Sequence, residues 1–182
     1  MVVAHSPAGY IIGKIYSKCL GLDQKAVKHV IASAIAGSLI SDVDLFYQRF
    51  VDNMQVNHHL YPTHIPAYWA GVTAIFVLTS LVIKRVSHVA IAFLLGGISH
   101  LVLDTPMGGI MWKYPFDNTL IRFVDIPAVR NPYAMFDYHG IQVKGWVLNG
   151  FEHASFRYEV YIVAVAAIIF VGSKINSFFK RT

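Results

Sequence analysis

PAYWAGVTAIFVLTSLVI at residues 66–83, followed after Lys84 and Arg85 by VSHVAIAFLLGGISHLVL at residues 86–103, decides the fold class. Each run is eighteen residues long and free of Asp, Glu, Lys and Arg, and a helix needs about 17 to 25 such residues to cross a bilayer. A third uncharged run, VYIVAVAAIIFVGS at residues 160–173, becomes long enough once residues 156–159 extend it. The rest of the chain agrees: 55% of the 182 residues are hydrophobic and 14% are charged, and the mean hydropathy is +0.51. Soluble domains carry about 25% charged residues. A domain of this size cannot cover three such runs with its own surface, so lipid must cover them.

Working outward, Ser6 and Pro7 predict the cap and first position of a helix ending near Gly21, and residues 25–40 predict a second. Both are shorter than a full span and are expected to form a helical hairpin against the longer helices. Pro66 opens a third helix, a fourth runs over 86–104 until Pro106 stops it, and a fifth covers 156–175. The expected architecture is an all-α integral membrane bundle of about five helices, three long spans plus the shorter N-terminal hairpin. Residues 1–182 then form a single membrane-embedded domain. The stretch 105–157 holds four prolines and ten aromatics, too aromatic for a disordered linker. It is expected to be an extramembrane loop, acting either as an interfacial anchor or as a cap over a site. A short hairpin strand around Gly145 is expected at 141–148.

Residues 1–7 carry no basic segment and the apolar stretch 8–12 is short, so no signal peptide is expected. The single Cys19 excludes an internal disulfide and a thiolate metal site. The net charge of +5 comes with no basic stripe or binding motif, so no nucleic-acid partner is expected. Loop topology accounts for the charge instead. With the five helices alternating up and down, one side receives nine Lys and Arg against Asp23 alone, and the other receives six against nine acids. The positive-inside rule puts the first side in the cytoplasm and the second outside.

That outer side gathers His5, Asp42 and Asp44, His58, His59 and His64, His100 and Asp104, and His153 with Glu159. Imidazole and carboxylate groups at the same end of consecutive helices are how a bundle builds a metal site. His100-Leu-Val-Leu-Asp104 puts both groups on one helix face, where they can share an ion or the carboxylate can orient the ring. Equally, Asp104 can end a helix at the water boundary while His100 bonds a carbonyl. Asp42-Val-Asp44 can bind a shared cation or sit in a solvated turn, there opposed by the negative end of a helix. In His59-Leu-Tyr-Pro-Thr-His64, Pro62 forbids one continuous helix, and a turn at Tyr61 and Pro62 is needed to bring both rings to one ion. Thr63 is a natural hydrogen-bond partner for an acid or a phosphate, and His58 reads as a surface residue.

The order Ser41-Asp-Val-Asp44, His59-x-x-x-Thr-His64 and Gly97-Ile-Ser-His-Leu-Val-Leu-Asp104, followed by Trp112 and Pro115-Phe116, resembles the YdjM family of membrane-bound metal-dependent hydrolases. His5 fits the same pattern, and the resemblance spans roughly residues 1–116. The chain departs from it at Leu60, where a basic residue is common, and at Ser41, where proline is frequent. The resemblance implies a helical inner-membrane protein with a divalent metal and hydrolase chemistry. On this basis His5, Asp44, His64, His100 and Asp104 are expected to bind one or two divalent cations, zinc first and manganese or iron next. Asp42 and His59 are expected in or beside that shell, with Glu159 or His153 protonating the leaving group of an ester or phosphoester. A site at the membrane face under an aromatic cap favours a lipid or lipid-linked substrate. The competing classes are a metal or proton transporter, which needs polar groups through the membrane depth, and a non-catalytic membrane adaptor docking partners on the aromatic loop.

Overall fold

The computed structural model describes residues 3–53, 56–83, 87–106, 108–122 and 154–179. Six α-helices carry them: α1 His5–Cys19, α2 Gln24–Ile40, α3 Asp44–Phe50, α4 Pro66–Val82, α5 Ser87–Asp104 and α6 Ala154–Phe179. Short 3-10 turns occupy Ser41–Val43, His58–Leu60 and Pro62–His64, and no strand occurs among the described residues. The expected strand at 141–148 lies outside them.

Two boundaries differ from expectation. Helix α1 begins at His5, with Ala4 as its uncapped N-terminal neighbour, so Ser6 does not cap it. Pro7 sits inside the first turn, where its missing N–H would have had no helical partner anyway. At the other end Gly21 takes φ +59, and the Leu22 N–H closes back on Ser17 O at 3.1 Å. A left-handed residue at that place suits glycine best.

The second difference concerns the N-terminal hairpin. The Asp23 side chain caps α2 by accepting from Ala26 N at 2.8 Å, but α2 does not stop at Ile40. Ser41–Val43 keeps helical backbone angles and leads into α3, so Gln24–Phe50 is one helical stretch of 27 residues. No glycine or proline lies between Ile40 and Phe50 to break it. Three helical stretches are therefore long and apolar enough to cross a membrane: Gln24–Phe50, Ser87–Asp104 and Arg157–Asn176. Pro66–Val82 is the shorter apolar helix, because Ile83 leaves helical angles at φ −117, ψ 79.

Helices α1, α2 and α5 form the centre, with α4 beside α5 and α6 beside α1. Their backbones touch. A Cβ at Gly96 would sit 2.1 Å from Ala34 O, and one at Gly37 would sit 2.0 Å from Phe93 O. Small residues permit this approach in membrane helices, where packing and not water exclusion drives association. The apolar core is correspondingly thin, with Val30, Ala34 and Ala92 in one cluster and Trp69, Leu94, Leu101 and Ile110 in another. Along the apolar spans 44% of α5 is buried but only 11% of α6, so α6 turns most of its surface outward.

Candidate metal centre

This packing brings the start of α1, the α2–α3 junction, the two turns before α4 and the last turn of α5 to one end of the bundle. His5, His64, His100 and Asp104 are there, all essentially inaccessible to solvent, with Asp44 and His59 almost as buried. Tyr61 and Pro62 supply the required break: Tyr61 is extended at ψ 155 between the two 3-10 turns. The Asn57 side chain caps the first turn by accepting from His59 N at 3.0 Å. Trp69 pins the second by donating from its indole to Thr63 O at 2.8 Å. As a result the His59 and His64 rings stack, with centroids 4.9 Å apart.

The hydrogen bonds on the far side of each ring fix its tautomer. His100 Nδ1 lies 2.7 Å from Ser38 O, and a carbonyl only accepts, so Nδ1 carries the proton. His64 Nδ1 lies 2.7 Å from Asp44 Oδ2, which imposes the same assignment. Both rings therefore present an Nε2 lone pair, and those two atoms are 3.1 Å apart. Asp104 Oδ2 stands 3.0 Å from His100 Nε2 and 3.6 Å from His64 Nε2. Asp42 Oδ1 stands 3.6 Å and 3.8 Å from the same two nitrogens. Ligands of a tetrahedral ion at 2.0–2.2 Å are separated by about 3.3 Å, and the distances from each carboxylate to the two ring nitrogens, and between those nitrogens, lie close to that spacing.

Two carboxylates and two ring nitrogens facing one point call for positive charge between them. The charge balance at His64 expresses this need. Burial opposes its protonation, but the Asp104 and Asp44 carboxylates outweigh burial and raise its pKa from 6.5 to about 9. A bound divalent ion would answer the same demand for positive charge, and the donor set of imidazole and carboxylate fits zinc, manganese or iron. His59 is driven the opposite way, to about 3, first by burial and then by neighbouring His58. It therefore stays a neutral donor.

The sequence-predicted residues divide as follows. His5, His64, His100 and Asp104 come together, with His5 Nε2 3.2 Å from Asp104 Oδ1 and its ring stacked on His100 at 3.8 Å. Asp42 faces the shared point. Asp44 takes up the orienting role behind His64 that histidine ligands commonly require, and the Thr63 hydroxyl also donates to it. Each alternative for the His100 motif holds in part: Nδ1 bonds a carbonyl and Nε2 meets Asp104, but Asp104 is buried and does not end its helix at a water boundary. Asp42 and Asp44 do not stand at an opposing helix end, because the helical backbone continues through them to Phe50. Glu159 is buried and accepts from Val3 N at 2.8 Å, two residues before His5. His153 lies outside the described residues.

Two contributors escaped sequence reasoning. His59 Nδ1 donates to Gly109 O at 2.9 Å, and a Cβ at Gly108 would fall 1.8 Å from the His59 ring. The Gly108-Gly109 pair after Pro106 was the available signal. Beyond it Ile110 pairs with Ile121 in a single antiparallel bridge, which folds the first part of the 105–157 stretch back on itself.

Transmembrane-length helices with a histidine-aspartate centre buried at one end define a polytopic membrane protein. The chain matches the family described as YdjM inner membrane protein over residues 1–178, and it belongs to that family. The match continues past the motifs, which end near residue 116, and through most of α6. No curated protein and no solved structure matches the chain.

Proposed function

We propose that the protein is a membrane-bound hydrolase that uses a divalent cation, zinc in preference to manganese or iron, on an ester or phosphoester of a lipid or lipid-linked substrate. The observation that carries this reading is the pair of Nε2 atoms of His64 and His100, 3.1 Å apart and flanked by Asp42 and Asp104. An ion held there would polarise the ester oxygen and lower the pKa of a water toward about 7. His64 and His100 keep their lone pairs aimed through Asp44 and Ser38. Asp42, 22% exposed, is the member of the four that reaches solvent, and it is placed to take a proton from incoming water. Leaving-group protonation is assigned to Glu159 or His153. The positive-inside rule puts this end outside the cytoplasm. The exposed Trp112 and Phe116 beside it suit a lipid headgroup layer, which supports a lipid substrate.

Transport is less well supported. His29 and His88 lie at the opposite end and bond Lys25 O and the Tyr16 hydroxyl, without a chain of ligands joining them to the cluster among the described residues. The test compares purified wild type with a His100→Ala, Asp104→Ala double variant, measuring metal content and then hydrolysis of phosphomonoester, phosphodiester and carboxylic ester lipids in mixed micelles. Metal and hydrolysis should both disappear in the variant. Equal metal content in the two proteins would remove the site.

A further inference from the structure

We propose that the centre is dinuclear, with His58 and Asp44 supplying ligands to a second divalent cation beside the one assigned to His64, His100, Asp42 and Asp104. The inference rests on the reading of the cluster as a metal centre and extends it to a residue that sequence reasoning placed on the surface. Asp44 divides its two oxygens. Oδ2 accepts the Nδ1–H of His64 and the Thr63 hydroxyl. Oδ1 faces His58 Nδ1 at 3.6 Å, within ion-pair reach but too far for a hydrogen bond.

Neither Oδ1 of Asp44 nor Nδ1 of His58 has any hydrogen-bond partner, and both atoms are buried. Asp44 as a whole is only 6% exposed. A buried carboxylate oxygen without a donor is costly, and folded proteins rarely leave two such atoms facing each other. Their separation is that of two ligands on one ion, which at 2.0–2.2 Å from each lie about 3 to 3.6 Å apart.

A third donor is at hand. His58, His59 and His64 each bring a ligand atom within 4.8 Å of the others. His59 Nδ1 is committed to the Gly109 carbonyl, so Nε2 is its free lone pair. His64 is already engaged, through Nδ1 with Asp44 and through Nε2 with the first position. The second position therefore draws on His58, His59 and Asp44. Asp44 links the two, touching one ion directly and the other through the His64 ring. His58 is 21% exposed while His64 and His100 are fully buried, so the second ion sits on the solvent side and exchanges first.

The experiment uses the full chain in detergent, stripped with a chelator and reloaded with manganese. Two readouts are taken: metal equivalents by elemental analysis, and the low-temperature electron paramagnetic resonance spectrum. Wild type should bind two equivalents and show a signal broadened by the dipolar interaction of two nearby ions, and His58→Ala should bind one and show an isolated ion. One equivalent or none in wild type overturns the proposal, as does His58→Ala retaining both. The wild-type spectrum decides the matter even if the variant fails to fold. Two equivalents without hydrolysis of any ester would leave the dinuclear site standing and remove the hydrolase reading. One equivalent with hydrolysis would do the reverse.

Discussion

Helix α5 carries a histidine near each end, and the two have opposite fates. His88, in the first turn, meets the Tyr16 hydroxyl at 3.1 Å in an exposed setting. His100, in the last turn, is fully buried and lies within 3.6 Å of Asp42, His64 and Asp104. Residue type, helix and apolar surroundings are shared. What differs is how closely the neighbouring helices approach. Gly9, Gly37 and Gly96 stand about one turn from His5, Asp42 and His100 respectively, and each brings a backbone into contact with another helix. Side chains projecting just beyond such contacts are pressed together. At the His88 end none of these three glycine contacts occurs, and the histidine there is a partly exposed group bonded to the Tyr16 hydroxyl.

The contrast can be broken most severely at Asp104. Asp104→Ala removes the carboxylate that faces His5, His64 and His100, leaving buried rings without their anion. Loss of bound metal and a destabilisation of about 3–5 kcal/mol are expected, read by elemental analysis and thermal unfolding in detergent. Next comes the packing itself. Gly96→Val drives a side chain into the Ala34 carbonyl and should cost at least about 1–3 kcal/mol while weakening metal binding at a distance. Gly71→Val in α4, where a Cβ meets nothing within 4 Å, should stay within about 0.5 kcal/mol of wild type. If the two glycine variants behaved alike, helix approach would not be what separates the two ends.

Asp44→Asn keeps an acceptor for the His64 ring but withdraws its charge, and should reduce metal affinity by about 10- to 100-fold, measured by competition with a chromogenic chelator. The metal-free protein should also respond to pH. Folding raises the His64 pKa from 6.5 to about 9, so its contribution to stability is complete below pH 6.5 and is lost as pH rises through 9. The melting temperature of stripped protein should therefore fall across that interval, and a loaded sample should lose the dependence. A melting temperature that instead rose with pH would contradict the charge balance drawn for His64. The smallest effect belongs to His88→Gln, which should leave metal content unchanged and shift stability by less than about 0.5 kcal/mol.

Much of this was legible in the chain, and the failures have physical causes. The spans followed from uncharged runs, because bilayer thickness fixes a length that composition can be measured against. The end of α2 was misplaced because Asp-Val-Asp resembles a polar stop, whereas the backbone continues through a tightened turn and gives the span its full 27 residues. Conversely, the run at 66–83 yields the shorter helix, since its last residue leaves helical angles. His58 was set aside as a surface residue because nothing in its local sequence reveals that Asp44, fourteen positions earlier, turns an unpartnered oxygen toward it. Gly108 and Gly109 were passed over for the same reason: their role depends on a ring that is distant in sequence and adjacent in space.

By itself the sequence determined that this is a helical membrane protein of the YdjM pattern, and which residue types line up at one end of its helices. Those properties depend on composition, on spacing along one helix and on the order of motifs, all of which are local. Only the tertiary structure decided that His64 and His100 turn their Nε2 atoms to one point, that Asp42 faces that point while Asp44 stands behind His64, and that His58 Nδ1 faces Asp44. A tautomer is set by the partner on the other side of the ring, and a ligand set by the distance between backbones. Both are properties of helices brought together, which no stretch of sequence holds alone.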